Sequence, residues 1–362
     1  MLGLKCMEKK PLEELKGPLG GGSLPPDEKT KKETLKLLRD LMKIPSVSGE
    51  EKKIGFFLKE RLAENFKVKV QKVGNRANIL AVIGKPKLLL TAHMDTVPGK
   101  LKIYEDTNFV YGRGSCDAKG TIASMITAAE SAAGKGLRDF GLLFDVDEEN
   151  NFEGIKKAIN TVKPEFIVVG EPSSMRLING QKGLLQLKLT EEGKSAPASM
   201  PSAGKSAINS IVFDIQSLLK LKLPVSRYLG KTTLNVGRIE GGKAPNVVAD
   251  FASATVDIRT IGKNKAVIRQ VRKAVGKAKL SVEMDFSPVF TDALELSRKL
   301  GIKTGVMPYF TEMYFWNKLA KTVVFGPGDY RYAHASSEKI QKKQLLNAVR
   351  VYFDIIKSSC SI

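Results

Sequence analysis

Four short apolar, β-rich runs in this chain each deliver a histidine or a carboxylate at their carboxyl end, and that pattern constrains the fold more than any bulk property. Leu88-Leu89-Leu90-Thr91-Ala92 runs into His93 and Asp95, and Leu142-Leu143-Phe144 leads to Asp147-Glu148-Glu149. Ile167-Val168-Val169-Gly170 delivers Glu171, and Val323-Val324-Phe325-Gly326 precedes His334. Short runs of this composition bounded by turn residues predict buried strands. Helical stretches at residues 120–133 and 152–159 alternate with them, which predicts an α/β fold: a mostly parallel central sheet flanked by helices. In such sheets ligands bind beyond the carboxyl ends of the strands, which is where the polar residues fall.

Residues 184–286 read differently: strand 184–190, helix 203–219, strands 232–240 and 251–259, helix 263–276 and strand 280–286. This β-α-β-β-α-β order is the ferredoxin-like plan. Because strand 322–325 and a closing helix at 343–356 follow it, the smaller unit reads as an α+β insertion, 181–286, into a catalytic domain formed by 29–180 and 287–362. Gly17-Pro18-Leu19-Gly20-Gly21-Gly22-Ser23 has linker composition, so residues 1–28 are expected to be a disordered tail. An amphipathic helix is expected from Lys29, and a second one from the capping signal Ser48-Gly49-Glu50-Glu51.

Bulk properties narrow the setting. The formal charge is +21 over 362 residues, which raises a nucleic acid, an acidic protein or an anionic small molecule as partner. The lysines are scattered, with no long basic run and no aromatic interleaving, which argues against nucleic acid. Cys6, Cys116 and Cys360 are odd in number and far apart, so they predict neither a disulfide framework nor a thiolate metal site. No uninterrupted apolar stretch approaches the roughly 20 residues of a membrane span, and residues 1–10 lack the apolar block of a secretory signal. The expectation is a soluble, cytoplasmic protein.

Imidazoles and carboxylates without thiolates suit catalytic zinc or a related divalent ion. Asp117 adds a further carboxylate, after Gly112-Arg113-Gly114-Ser115-Cys116 and at the opening of a helix whose amides favour its ionised form. In His93-Met94-Asp95, alternate residues of an extended segment face the same side, so Asp95 can accept the second ring N–H of His93 and fix its tautomer. Of the adjacent acids, one of Glu148 and Glu149 can ligate metal while the other remains free as a general base. A His-x-Asp pair alone is more often a hydrogen-bond pair, and a Glu-Glu pair alone a solvated face. The set gains weight jointly, because the chain has only two histidines and both fall at the ends of apolar strands with these carboxylates.

Several motifs in order resemble the di-zinc aminoacylase and carboxypeptidase-type metallohydrolases, the group that includes acetylornithine deacetylase and succinyl-diaminopimelate desuccinylase. They are Thr91-Ala92-His93-Met94-Asp95-Thr96-Val97-Pro98, Gly112 through Gly120, Asp147-Glu148-Glu149, Gly170-Glu171-Pro172-Ser173, and Gly326-Pro327-Gly328 ahead of Ala333-His334. The resemblance implies two Zn2+, with Co2+ as a substitute. It implies that Asp117 bridges them, one held also by His93 and Glu171, the other by Glu149 and His334. Asp95 would orient His93, and Glu148 would take the proton of the attacking water and return it to the leaving amine. It further implies a lid that dimerises, Arg259 on the substrate carboxylate, Asn246 near the oxyanion, and Lys182 as a second carboxylate contact where desuccinylases have arginine.

Two departures stand out. The family's lid histidine is replaced by Pro197 in Gly193-Lys194-Ser195-Ala196-Pro197-Ala198-Ser199, and Phe310-Thr311-Glu312-Met313 only approximates the family's Thr-Asp-Ala segment. Loss of an oxyanion donor costs on the order of a hundredfold in turnover, so slower catalysis, reliance on Asn246 and the metals, or a changed substrate all stay open. The leading expectation is a deacylase of a small N-acyl amino acid in amino-acid biosynthesis. The alternatives are a hydrolase releasing lysine or ornithine from an acidic amino-group carrier protein, steered by the basic surface, and a metal-retaining binding homologue.

Overall fold

The computed structural model describes residues 26–359. Most of the expected tail lies outside the described residues, and the first helix, Glu28–Lys43, begins on the tail's last residue. The Asp27 carboxylate caps it, accepting the Thr30 amide at 2.7 Å. The second helix is Lys52–Ala63, but Ser48 does not cap it: its hydroxyl donates to Asp95 at 2.6 Å instead.

One sheet of nine strands runs in the order Lys67–Val73, Arg76–Ile83, Phe140–Asp145, Leu88–His93, Phe166–Val169, Lys321–Val324, Leu177–Gln181, Val289–Phe290, with Thr304–Met307 also paired to Leu177–Gln181. The four strands from Phe140–Asp145 to Lys321–Val324 are mutually parallel, so the polar residues that follow them emerge at one rim. On either side the pairing turns antiparallel. The sheet is therefore mixed, and the expectation of a mostly parallel sheet holds only for its centre. Connection length explains one flank: Val73 pairs with Arg76 across a two-residue turn, Gly74-Asn75, with Gly74 at φ +60°. So short a connection can only reverse the chain. The sequence reading misses strand Lys67–Val73, although Gly74-Asn75 is the signal that marks it.

Strand alternation covers both faces of the sheet. Leu88 and Leu90 join a buried cluster with Leu38, Ile126 and Tyr352, while Leu89 and Ile167 join another with Ile155, Phe315 and Trp316. Each such side chain contributes about 1.5–3 kcal/mol by leaving water, which holds the strand ends rigid. Among the described residues no helix is long and apolar enough to cross a membrane.

Residues 183–286 build a second, antiparallel sheet in the order Thr233–Gly241, Phe251–Thr260, Gly183–Glu192, Lys279–Phe286, with helices Ala207–Leu219 and Asn264–Ala274. This is the ferredoxin-like order. The helices pack on Leu185, Leu187, Leu189, Val256 and Ile258. The period of two then turns Leu184, Gln186, Asp257 and Arg259 to the opposite face, where they line a cleft shared with the first sheet.

The closing helix Lys342–Ser359 is tied to the sheet by a buried contact: the Tyr352 hydroxyl donates to the Phe325 carbonyl at 2.6 Å, just past the strand that leads toward His334. Tyr352→Phe leaves that carbonyl without its partner, and we expect a loss of about 1–3 kcal/mol in denaturant unfolding.

Candidate metal centre

Strand geometry brings His93, Asp117, Glu149, Glu171 and His334 together. His93 ends its strand fully buried, and His334 follows the Lys321–Val324 strand on a loop, with backbone in the left-handed region at φ +60°. Left-handed backbone is rare outside glycine and tends to mark functional positions. Asp117 lies between the two rings: its Oδ1 is 3.0 Å from His93 Nε2 and its Oδ2 is 3.3 Å from His334 Nε2. Glu171 stands 3.8 Å from His93 Nε2, and both oxygens of Glu149 stand 3.0 Å from His334 Nε2. Two imidazole–carboxylate groups thus share one aspartate. Gly326 permits the close approach, since a Cβ there would meet the Glu171 carbonyl at 2.5 Å.

Electrostatics tests whether the set fits a metal. Burial pushes Glu148 and Glu171 well above the usual carboxylate range, and repulsion from neighbouring carboxylates adds to it. Burial likewise raises Glu149, against the pull of His334. For Asp117 burial acts upward too, but hydrogen bonds from His334 and His93 hold it below the ordinary range. The Asp117 and Glu149 carboxylates in turn raise His334 to about 10. His93 also rises, its burial outweighed by Asp117 and Asp95. So many carboxylates facing imidazole nitrogens and no thiol is a donor set that divalent cations would neutralise. The candidate ligand atoms of His93, Asp117 and Glu149 lie within 4.8 Å of one another. The donor set fits.

Asp95 does more than its spacing implies. His93 Nδ1 lies 3.1 Å from the Asp95 main-chain carbonyl and 3.4 Å from its carboxylate, so either acceptor fixes the same tautomer. The carboxylate also accepts the Glu148 amide at 3.2 Å and the Glu149 amide at 3.1 Å. One buried aspartate therefore places His93, Glu148 and Glu149 together. Asp147, the first acid of its run, turns away to Arg76, 3.2 Å distant, and with Glu51 fixes the turn from behind.

A cleft of about 410 Å³ opens over this cluster. Glu148 lines it without facing either imidazole within ion-pair distance, and Arg259 lines it from the second sheet. Arg259 is held there by Asp257, with Nε 2.7 Å and Nη2 3.3 Å from the two carboxylate oxygens. The other two expected substrate contacts lie elsewhere. Lys182 is buried, its ammonium donating to the Lys231 carbonyl at 2.6 Å, and Asn246 is exposed on the lid with its carbonyl accepting the Ala198 amide at 3.0 Å. Pro197 pairs with Val247 beside it, and none of these lines the cleft.

Further residues join the site, two of them, Phe310 and Glu312, from the segment that only approximates the family's pattern, and one, Glu338, with no sequence signal. Tyr309 and Phe310 line the cleft, and Glu312 lies buried close to Asp145, where burial pushes both carboxyl groups up. The Asp117 carboxylate faces the imidazoles, and its own amide donates to Glu338 at 3.1 Å. A lone glutamate in Ser336-Ser337-Glu338 resembles any surface acid.

An imidazole–carboxylate cluster at the rim of an open α/β sheet, buried on its His93 side and open to a cleft with an uncommitted acid on its His334 side, defines a metal-dependent hydrolase. The chain belongs to peptidase family M20/M25/M40, whose profile matches residues 89–358. It is 33% identical over 374 residues to a probable carboxypeptidase of Aspergillus flavus, covering 89% of each chain. A tripeptidase of Staphylococcus aureus shares its fold at a TM-score of 0.76 and 23% identity, covering 92% of this chain and 99% of that one. The Bacillus subtilis YXEP protein, described as a dinuclear metal binding peptidase of the M20 family, matches at 0.67 and 18%, covering 91% and 98%. The family resemblance holds, while the deacetylase and desuccinylase branch is narrower than these relatives support.

Because Asp95 holds three site residues at once, Asp95→Asn is expected to weaken metal binding about 10–100-fold, measured by calorimetric titration with Zn2+ or Co2+.

Proposed function

We propose that the chain hydrolyses the amide bond on the amino side of a residue that keeps a free α-carboxylate, in a small N-acyl amino acid or a short peptide. The observation that carries this is the single cleft lined by Asp117, Glu149, Glu171 and His334 together with Glu148 and Arg259, with His93 buried behind Asp117. His93, Glu171 and Asp117 would hold one divalent ion, and Glu149, His334 and Asp117 the other, zinc being the ion that N and O donors of this kind suit. Bound there, the ions supply positive charge where the carbonyl oxygen and attacking water become negative.

Glu148 takes a proton from that water as its oxygen bonds to the carbonyl carbon, and returns it to the nitrogen as the C–N bond breaks. Burial raises Glu148 well above the ordinary carboxylate range, which favours its holding a proton between the two transfers. Arg259 meets the substrate carboxylate: Asp257 engages Nε and Nη2, and Nη1 has no partner among the described residues. The name borne by the Aspergillus flavus relative supports a free carboxylate next to the scissile bond. An N-acyl amino acid of biosynthesis is the smallest substrate that meets these requirements.

The chain would act as a homodimer through the lid. Helix Ala207–Leu219 exposes Val212, Leu219 and Phe213, the last 66% accessible, and the neighbouring edge strand Thr233–Gly241 exposes Ile239. Exposed apolar side chains on one helix and the edge strand beside it favour self-association. Phe213→Asp is expected to yield a monomer in light scattering where the parent chain is a dimer.

The central test is a panel of N-acetyl and N-succinyl amino acids and blocked dipeptides, each with its C-terminal amide, assayed for released amine in zinc or cobalt. Free acids should be cleaved and amides spared, and Glu148→Gln should keep its metal while losing about 10²–10⁴-fold in turnover. Equal cleavage of acids and amides would sink the role given to Arg259. Binding without any release of amine would favour the non-catalytic homologue.

A further inference from the structure

Glu338 is fully buried within a segment that also carries His334, and none of the roles above uses it. Its Oε1 accepts two consecutive main-chain amides, Cys116 at 3.0 Å and Asp117 at 3.1 Å. Its Oε2 accepts from Arg113 Nη1 at 2.8 Å. The same Arg113 Nη1 reaches the Ala335 carbonyl, next to His334, at 3.5 Å, and Arg113 Nε donates to the Gly99 carbonyl at 3.2 Å. The Glu338 carbonyl accepts the Gly112 amide at 3.0 Å, where strand Lys339–Gln341 pairs with Phe109–Tyr111. The loop that presents Asp117 and the loop that presents His334 are thus fastened to each other through one carboxylate and one guanidinium.

The two halves of the centre differ in how much they need such a fastening. His93 and Glu171 sit at the ends of neighbouring parallel strands inside a packed sheet, and both are buried. His334 is carried on a loop, its side chain 54% exposed, with left-handed backbone. No strand fixes its distance from Asp117. What fixes it is the Glu338–Arg113 clamp, because a main-chain amide held at 3.1 Å sets where the Asp117 side chain starts, and Ala335 sets where the His334 side chain starts.

We infer that Glu338 is a positioning residue that holds Asp117 in register with His334 and so governs chiefly the binding of the ion shared by Asp117, Glu149 and His334, while the other ion, which also uses Asp117, keeps two ligands, His93 and Glu171, fixed by the sheet. This rests on the two-ion reading given under Proposed function. Replacement by an apolar side chain of similar size leaves two buried amides and a guanidinium without their acceptor, and loss of a residue that orients a ligand typically costs 10–100-fold in metal affinity.

The experiment is Co2+ titration of the metal-free full chain, followed by calorimetry and by visible absorption, for the parent, Glu338→Met and Glu338→Gln. The parent should bind two ions. Glu338→Met should bind one ion within a few-fold of parental affinity and the other about 10–100-fold more weakly, and Glu338→Gln, which keeps an acceptor oxygen for the amides, should lose less at that same ion. Thermal unfolding of the metal-free chains separates this from a general loss of structure. Two ions bound by Glu338→Met as tightly as by the parent overturns the inference, as does equal weakening of both ions. Should Glu338→Met fail to fold, Glu338→Gln decides alone: an equal effect on both ions, or an effect on neither, overturns it. A parent chain that binds fewer than two ions overturns the two-ion reading itself and this inference with it.

Discussion

The centre is organised by the repulsion among its own carboxylates. Asp117, Glu148, Glu149 and Glu171 line one cleft of about 410 Å³, and no sheet would gather them at one rim for packing alone, because each buried carboxylate raises the cost of the next. Two imidazoles offset part of that cost, each facing a different oxygen of Asp117. The remainder is what makes the site a receptor for divalent cations. The hydrophobic clusters on the two faces of the sheet supply the stability that such a concentration of like charge requires, and the parallel run of four strands aims it at a single rim.

Asp95 shows how one residue can reconcile the competing needs of ligand and base. A ligating carboxylate must face the metals, whereas a general base must remain uncommitted a few ångströms away. Adjacent residues in a turn meet both conditions when their amides are fixed. The two Asp95 oxygens accept the consecutive amides of Glu148 and Glu149, and Arg76 anchors Asp147 from the other side. Burial pushes the Asp95 carboxylate upward, but the hydrogen bonds from His93, Ser48 and the Glu149 amide outweigh it, so Asp95 stays ionised as the hub. Ser48, which its sequence context marks as a helix cap, is recruited to this hub because a buried charged acceptor outcompetes an exposed helix end.

Legibility in the sequence followed rigidity. The five residues of the two imidazole–carboxylate groups were readable because four of them follow apolar strand runs, and Asp117 because a glycine-rich turn precedes it. Helices and central strands came within a few residues of their observed ends for the same reason: continuous burial writes continuous apolar sequence. The antiparallel flanks were harder, since strand direction depends on connection geometry that only Gly74-Asn75 betrays. Glu338 and the second task of Asp95 left no trace, because a carboxylate that accepts main-chain amides needs no particular neighbours in sequence. Lys182 and Asn246 were placed on resemblance alone, and neither lines the cleft: the Lys182 ammonium donates to the Lys231 carbonyl, and Asn246 is exposed on the lid.

On the function proposed here, the lid would let a site without a lid histidine still be selective. Alternation along Gly183–Glu192 and Phe251–Thr260 buries Leu185, Leu187 and Ile258 under two helices and leaves Gln186, Asp257 and Arg259 over the metal cluster. The proposed selectivity for a carboxylate would therefore depend on strand register, which a packed antiparallel sheet holds more firmly than a loop holds one donor. Pro197 lies in a loop bridged to Val247 and contributes nothing to that register. Under the proposed function, ions held by the cluster would offset the oxyanion's charge, and Arg259 would bind and orient the substrate. Its pairing with Asp257 keeps the guanidinium extended over the cleft before any substrate arrives, so little side-chain entropy remains to be lost when a carboxylate binds.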